Sequence, residues 1–487
     1  VSSSSAPPAV TPPVPAARAS HPVPPGARTR RDAGTATPEP APVPLVATAE
    51  LLVALSHALD LTEGAPPGHT LRSCVLGMRL ADELALDERT RAALFGALLL
   101  KDAGCSANAA RMTQLFGADD RVVKPRMKLV DANDRTRLAL ETWRNVAIGR
   151  GLLPKMRHML GIARGGAVTQ ELIRTRCERG ADIAARLGFP EATRAAIRAL
   201  DEHWNGAGQP AGLAGEAIPL LARIANVVQV VDVVAVAHGP DAALAVVRAR
   251  SGTWFDPALA RRVLAWARDR TWWTRALDDG TEAHVAALEP AAGRTLLDPL
   301  GVERVARAFA DVVDAKSPFT FRHSVHVAAW AGAMARVAGA DEATAGALVV
   351  AGLLHDVGKL GVSNLVLDKA GPLDADERAA IETHPAHTWA ILSRIPALAG
   401  IARTASLHHE KLDGTGYPWR VGADDLDRPA RLLVVADIYE ALTADRPYRA
   451  GLSRDAALRL LERDRGTKVD GEALDALAAV ERVEPLP

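Results

Sequence analysis

Histidine and aspartate crowd into one stretch of this chain. Seven of its fourteen histidines lie between His323 and His409, several beside a carboxylate or beside one another. The pair His355-Asp356 closes an apolar run, Ala345–Leu354, that reads as a helix, and Lys359 follows one helical turn later on the same face. His384 precedes Pro385 and opens a new segment. His408-His409-Glu410 ends another helix, and Asp437 follows the apolar run Leu432–Ala436. Imidazole and carboxylate together suit divalent transition metals, and a carboxylate can bridge two of them. His323, His355, Asp356, His384, His408, His409 and Asp437 are too many ligands for one ion that keeps an open position. They suit a two-metal site with ions about 3.5–4 Å apart. A lone histidine at a helix end is ordinarily a surface or satisfied core group. Clustering argues otherwise here, because several buried imidazoles without a metal leave polar atoms to satisfy. His326 and His387, each three residues after a candidate, are not counted.

The elements that must position these residues occur twice. His69-Thr-Leu-Arg opens a helix, and 32 residues later comes Leu-Leu-Leu-Lys101-Asp102-Ala-Gly104. His323-Ser-Val-His opens another, and 32 residues later comes Gly-Leu-Leu-His355-Asp356-Val-Gly358. Further on, the segment Glu202 to Pro210 matches Glu410 to Pro418. The offset is 254 residues at the first match and 208 at the second, so the first copy carries 46 extra residues between Asp102 and Arg176. A repeat of this length implies a duplicated domain rather than a solenoid. The fold class expected is all-α, as two tandem helical domains. Residues 45–288 would form the first copy, 289–300 a linker with Pro290, Gly293 and Pro299, and 301–487 the second copy. Residues 1–44, rich in Pro, Ala, Ser and Thr, read as a disordered tail, since they cannot bury enough surface to offset ordering entropy.

Composition bounds the remaining readings. At 487 residues the chain has room for two or three domains, each with its own core. It has 58 Lys plus Arg and 58 Asp plus Glu, so overall charge gives no reason to expect nucleic-acid or membrane binding. A small anionic substrate needs only a local cationic pocket. Aromatics are 4% of residues, leaving Ala, Leu and Val to build the core. Cys74, Cys105 and Cys177 form no CxxC pair, which fits a reducing compartment. No signal segment and no run of about 18 apolar residues is visible, so a soluble cytoplasmic protein is expected.

With these spacings in view a family is recognisable. His323…His355-Asp356-x-x-Lys359…His384-Pro385…His408-His409-Glu410-x-x-Asp413-Gly414-x-Gly416-Tyr417-Pro418…Asp437 resembles the HD-GYP domain. The tail from Ala436 to Arg449 resembles it too. The resemblance implies an all-helical domain that hydrolyses cyclic di-GMP to the linear dinucleotide, and on to GMP in some members. It implies that Asp356 bridges two metals, iron or manganese, with His323, His355 and Asp437 completing one site and His384, His408 and His409 the other. Lys359 would stand beside the bridging solvent and the scissile phosphate. Arg446 and Arg449 fall where the family contacts phosphate, and Gly416, Tyr417 and Pro418 lie in the loop shaping the pocket. Independent physics agrees: metals bring the pKa of water from 15.7 to about 7, supplying hydroxide at neutral pH. Guanidinium forks suit phosphate oxygens. His326 stands where the family has Arg and Thr388 where Gly is common. Phe319 replaces the Glu that supports a third metal in some members, so a binuclear site is expected.

The first copy retains only His69 and Asp102. Lys101, Cys105, Arg176, Leu200, Asp201 and Gln229 replace the other positions, and two ligands cannot hold a hydrolytic pair. That copy is expected to be catalytically dead, a scaffold more than a sensor. Trp272-Trp273 near the join would pack the copies together or cap the first core. The partners expected are a cyclic dinucleotide, signalling proteins or a second copy in a homodimer. The competing functions are a non-catalytic signalling adaptor or cyclic-dinucleotide sensor, and an HD phosphohydrolase acting on another nucleotide.

Overall fold

A computed structural model describes residues 45–130, 135–164, 166–278, 281–320, 322–445 and 450–483. The segment expected to be a disordered tail, and Arg446 and Arg449, lie outside the described residues.

The chain is all-α. The first copy runs α1 (Thr48–Glu63), α2 (His69–Glu83), α3 (Glu88–Leu100), α4 (Ala109–Phe116), α5 (Asp120–Lys128), α6 (Arg135–Asn145) and α7 (Leu152–Arg164). It continues with α8 (Gly166–Arg186), α9 (Glu191–Arg198), α10 (Leu220–His238), α11 (Pro240–Arg250), α12 (Pro257–Ala265), α13 (Arg270–Ala276) and α14 (Thr281–Ala287). The second copy holds α15 (Pro299–Asp314), α16 (His323–Val337), α17 (Glu342–Leu354), α18 (Asn364–Leu367), α19 (Ala375–Ile381) and α20 (His384–Leu392). It closes with α21 (Ala399–Ser406), α22 (Arg428–Thr443), α23 (Arg454–Glu462) and α24 (Gly471–Val483).

The duplication read from sequence is a duplication of helices. α2 and α3 correspond to α16 and α17, α9 to α21, and α10 to α22. Equivalent caps start equivalent helices. Asp87 accepts from the Thr90 amide at 3.1 Å to begin α3, and Asp341 accepts from the Thr344 amide at 2.8 Å to begin α17. The additional residues of the first copy fall within the stretch that forms α4 to α7 and the start of α8, with a small satellite core around Phe116, Val123 and Val146.

The two copies do not keep separate cores: one continuous apolar cluster runs through both. The reason is visible in α1, where Leu51, Leu52, Val53, Ala54 and Leu55 are all buried. A helix apolar on every side must be surrounded. α1 packs against the first copy and also against α20 and the 3-10 turn Val357–Gly361 of the second. α15 reciprocates against α8 and the 3-10 turn Cys105–Asn108. At the join, β1 (Val46–Ala47) pairs antiparallel with β2 (Leu296–Leu297), Val46 opposite Leu297. The stretch expected as a linker therefore carries a 3-10 turn, β2 and the start of α15.

Trp272 and Trp273 pack with Trp266, and the Arg79 guanidinium lies 4.0 Å from the Trp272 ring, so they cap the first copy's core. Two helical stretches, Leu220–His238 and Glu342–Gly361, are long and apolar enough to cross a membrane, contrary to the expectation that none is. Both lie mostly inside the core.

Candidate metal centre

Each candidate ligand sits where a helix begins or ends, except Asp437 within α22. His323 is the first residue of α16, behind Arg322 at φ 60°. α17 stops at Leu354, so His355 caps it and Asp356 opens the 3-10 turn Val357–Gly361. Lys359 therefore stands on this separate turn rather than on a continuing α-helical face, and its Nζ lies 2.6 Å from Asp356 Oδ2. Close backbone contact brings α20 to this turn. A Cβ on Gly358 would lie 2.0 Å from the His384 carbonyl oxygen, so only glycine fits. The buried Thr388 hydroxyl fastens the same junction, accepting from the Gly358 amide at 3.1 Å and donating to the His355 carbonyl at 2.8 Å.

The seven candidates converge around Asp356. Its Oδ2 faces His355 Nε2 at 3.3 Å and His323 Nε2 at 3.5 Å. Its Oδ1 faces His384 Nε2 at 3.3 Å and His408 Nε2 at 3.7 Å. Asp437 reaches both groups: Oδ1 lies 3.3 Å from His323 Nε2, and Oδ2 lies 3.7 Å from His409 Nδ1. The imidazoles are aimed by their other nitrogens. Nδ1 of His355, His384 and His408 donates to the carbonyl three residues back, on Gly352, Ile381 and Ala405, at 2.6, 2.7 and 2.7 Å. Each Nε2 is thereby left with its lone pair pointing inward. His323 Nδ1 is held by Glu440, a residue that the sequence reading missed. Glu440 carries no motif of its own. Its signal was Asp232, the carboxylate at the same place in the first copy, which holds His69 Nδ1 at 2.6 Å.

Burial and charge set the protonation. Burial drives the pKa of His384 down and that of His408 well down, and takes His409 to about 3. Burial alone would raise the carboxyls, yet His355 and Lys359 hold Asp356 well below the usual range, and His323 and His409 do the same for Asp437. Neutral imidazoles and ionised carboxylates are the states in which both bind metals. His323 differs: burial lowers it, but hydrogen bonds to Asp437 and Glu440 carry it up to about 10.

The donor set fits two divalent ions. His355 Nε2 and Asp356 Oδ1 are buried without a hydrogen-bond partner, a costly arrangement for groups whose lone pairs point into one space. His323, His355 and Asp437 group tightly enough to share one ion, and His384, His408 and His409 a second. Asp356 turns one oxygen toward each group. His326 lies aside, its Nδ1 3.6 Å from Glu440.

The loop after His409 forms one wall. Glu410 is fully buried and accepts from the amides of Trp419, Arg420 and Val421 at 2.8, 3.1 and 3.1 Å. A Cβ on Gly416 would lie 2.4 Å from the Glu410 Cα, so glycine is required where the loop folds back. The turn lays the Tyr417 ring against His409, centroids 4.7 Å apart, with Pro418 following, half-buried. Sequence reading placed Glu410 among the histidines; the structure makes it the clamp of the loop.

The first copy builds the same frame and fills its centre with cations. Glu202 accepts from the amides of Ala211, Gly212 and Leu213, as Glu410 does. Lys101 Nζ lies 2.9 Å from His69 Nε2 and bonds Asp102. Lys128 stands 3.6 Å from Asp102 and 3.7 Å from Glu63, and Arg176 pairs with Asp201. Glu63, Asp102 and Cys105 are close enough to suggest a metal, but these ammonium groups neutralise the carboxylates and exclude one. Cys105 is fully buried, and burial raises its thiol well above the usual value.

Five imidazoles and the carboxylates of Asp356 and Asp437, gathered into one buried cluster, define a helical class of protein with a donor set for divalent metal. The chain belongs to the HD domain family, whose profile matches residues 127–259 and 307–473, and its second copy is of the HD-GYP type. It is 42% identical to the 3'3'-cGAMP-specific phosphodiesterase 3 of Vibrio cholerae, across 88% of this chain and 93% of that protein. A crystal structure of a cyclic GMP-AMP specific phosphodiesterase from V. cholerae covers 91% of this chain, and 99% of its own, with a TM-score of 0.63 and 37% identity. A cyclic di-GMP phosphodiesterase of Pseudomonas aeruginosa is 33% identical over 36% of this chain, which spans 43% of that protein's length.

Proposed function

We propose that the second copy is a phosphodiesterase that opens cyclic dinucleotides, with 3'3'-cGAMP ahead of cyclic di-GMP as its substrate. The observation that carries the hydrolytic reading is the split of Asp356, one oxygen toward each imidazole group. Relatives over the whole tandem chain are named for cGAMP, whereas the cyclic di-GMP relative matches about a third of it, which favours cGAMP over the substrate expected from sequence.

His323, His355 and Asp437 would hold one ion and His384, His408 and His409 the other; the ligand chemistry suits divalent transition metals, and the HD-GYP resemblance favours iron or manganese among them. Bound divalent ions supply Lewis acidity toward a phosphate and activate water near neutral pH. The chain's own groups do the rest. The Lys359 ammonium, partly buried beside Asp356, offers a charge-assisted donor to a non-bridging phosphate oxygen as negative charge develops. The Tyr417 ring, backed by His409, supplies a flat wall for a base or sugar. Its hydroxyl stays protonated because burial, with Asp437 and Asp356 nearby, pushes its pKa up. Arg446 and Arg449 are the further phosphate contacts proposed.

The test is hydrolysis of 3'3'-cGAMP and cyclic di-GMP by anaerobically purified protein with Mn²⁺ or Fe²⁺, metal content measured alongside. Chelator-sensitive opening of 3'3'-cGAMP at the higher kcat/KM supports the reading, and the reverse order returns the substrate to cyclic di-GMP. Metal-loaded protein inert on both would overturn it.

A further inference from the structure

We infer that the degenerate first copy is a positioning domain for the second copy's Lys359, acting through Arg121. The 3-10 turn Val357–Gly361 carries Lys359 and ends in carbonyls that no continuing helix satisfies. Two cations take them. Lys316, buried within the second copy, donates to the Leu360 carbonyl at 2.9 Å. Arg121 donates to the Gly361 carbonyl, and it belongs to α5, in the interval where the first copy carries its additional residues.

Arg121 is aimed before it arrives. Asp119 grips its fork, with Nη2 at 2.9 Å from Oδ2 and Nε at 3.3 Å from Oδ1. The opposite flank of α5 is tied to the extinct centre. Lys124 Nζ lies 2.9 Å from Asp120 and donates to the carbonyls of Thr62 and Cys105 at 3.1 and 3.2 Å. Cys105 is the counterpart of Lys359. Lys128 completes the attachment at Asp102 and Glu63. A Cβ on Gly64 would lie 1.9 Å from the Arg121 carbonyl oxygen, so the end of α1 seats the helix with no slack. One nine-residue helix thus joins the site of the lost lysine to the turn that bears the retained one. The charges that replaced the first metal centre hold this strut, which gives the dead copy a reason to keep Asp102 and Glu63 buried.

The inference rests on the phosphodiesterase reading for its kinetic readout alone. In the full chain, Arg121→Ala is expected to lower kcat about tenfold while KM and metal content stay within about twofold. Amide exchange across Val357–Val362 should quicken about tenfold, with α2 and α3 unchanged. Arg121→Lys should recover most of both losses. Unchanged exchange in Arg121→Ala, loosening that spreads equally through the first copy, or no recovery by Arg121→Lys would overturn the inference. If the wild type opens neither dinucleotide, the phosphodiesterase reading fails, and the exchange comparison of the two variants still decides this one.

Discussion

Lys101 Nζ lies 2.9 Å from Nε2 of His69, in the place where the second copy sets His355 against His323. A side-chain cation thus stands in a centre whose twin offers imidazole lone pairs. Removing it would leave Asp102 buried with weaker compensation, because Lys128 remains at 3.6 Å. Lys101→Met is expected to cost about 3 kcal/mol of stability. Metal content should stay at two ions per chain in both proteins. A melt and an elemental analysis check this; more than two ions per chain in either protein would mean the first centre also binds metal.

Asp356 serves both imidazole groups, so one substitution should empty both. Asp356→Ala is expected to reduce metal content severalfold and turnover by at least about a thousandfold. Circular dichroism should show the helices largely retained, because the apolar core does not include this side chain. His355→Ala should act similarly. Unchanged turnover in Asp356→Ala would sink the two-metal mechanism.

Glu410 and Glu202 hold equivalent loops by equivalent bonds, but only one loop borders the proposed site. Replacing either by Ala strips three amides of their acceptor and should cost about 2–3 kcal/mol. The functional consequences should differ. Glu410→Ala is expected to raise KM through the displaced Tyr417, whereas Glu202→Ala should lower the melting temperature with KM kept. Steady-state kinetics on the pair, below their melting temperatures, tests the assignment.

Asp314 is buried behind the site and accepts from the Ser324 hydroxyl at 2.7 Å. Burial raises its carboxyl to about 6. Between the ordinary carboxyl value and about 6 the folded state binds more protons than the unfolded one. The group's contribution therefore falls as pH rises through that window and stays lost above it. Asp314→Asn keeps the acceptor and removes the charge. It should add roughly 1–2 kcal/mol near pH 7.5 and almost nothing near pH 4, read from denaturant melts at the two values.

What sequence could determine here was whatever is carried by local chemistry and repetition. Ala- and Leu-rich runs with Asp caps specify helices, and two offsets around 46 extra residues expose the duplication. Fixed spacings mark seven ligand candidates and one lysine, because every ligand but Asp437 occupies a helix end whose sequence signals are short-range. The tertiary structure decided what depends on chain segments far apart. It set which oxygen of Asp356 faces which imidazoles, and it moved Lys359 onto a separate turn. It assigned Glu440 to His323 and Glu410 to the loop, neither of which a spacing announces, since a buried carboxylate's role depends on the donors folded around it. It merged two expected cores into one, because α1 is apolar on all sides and only a second copy can cover the remainder. It also carried Arg121 of α5 to Gly361, a bond across 240 residues that no local pattern encodes.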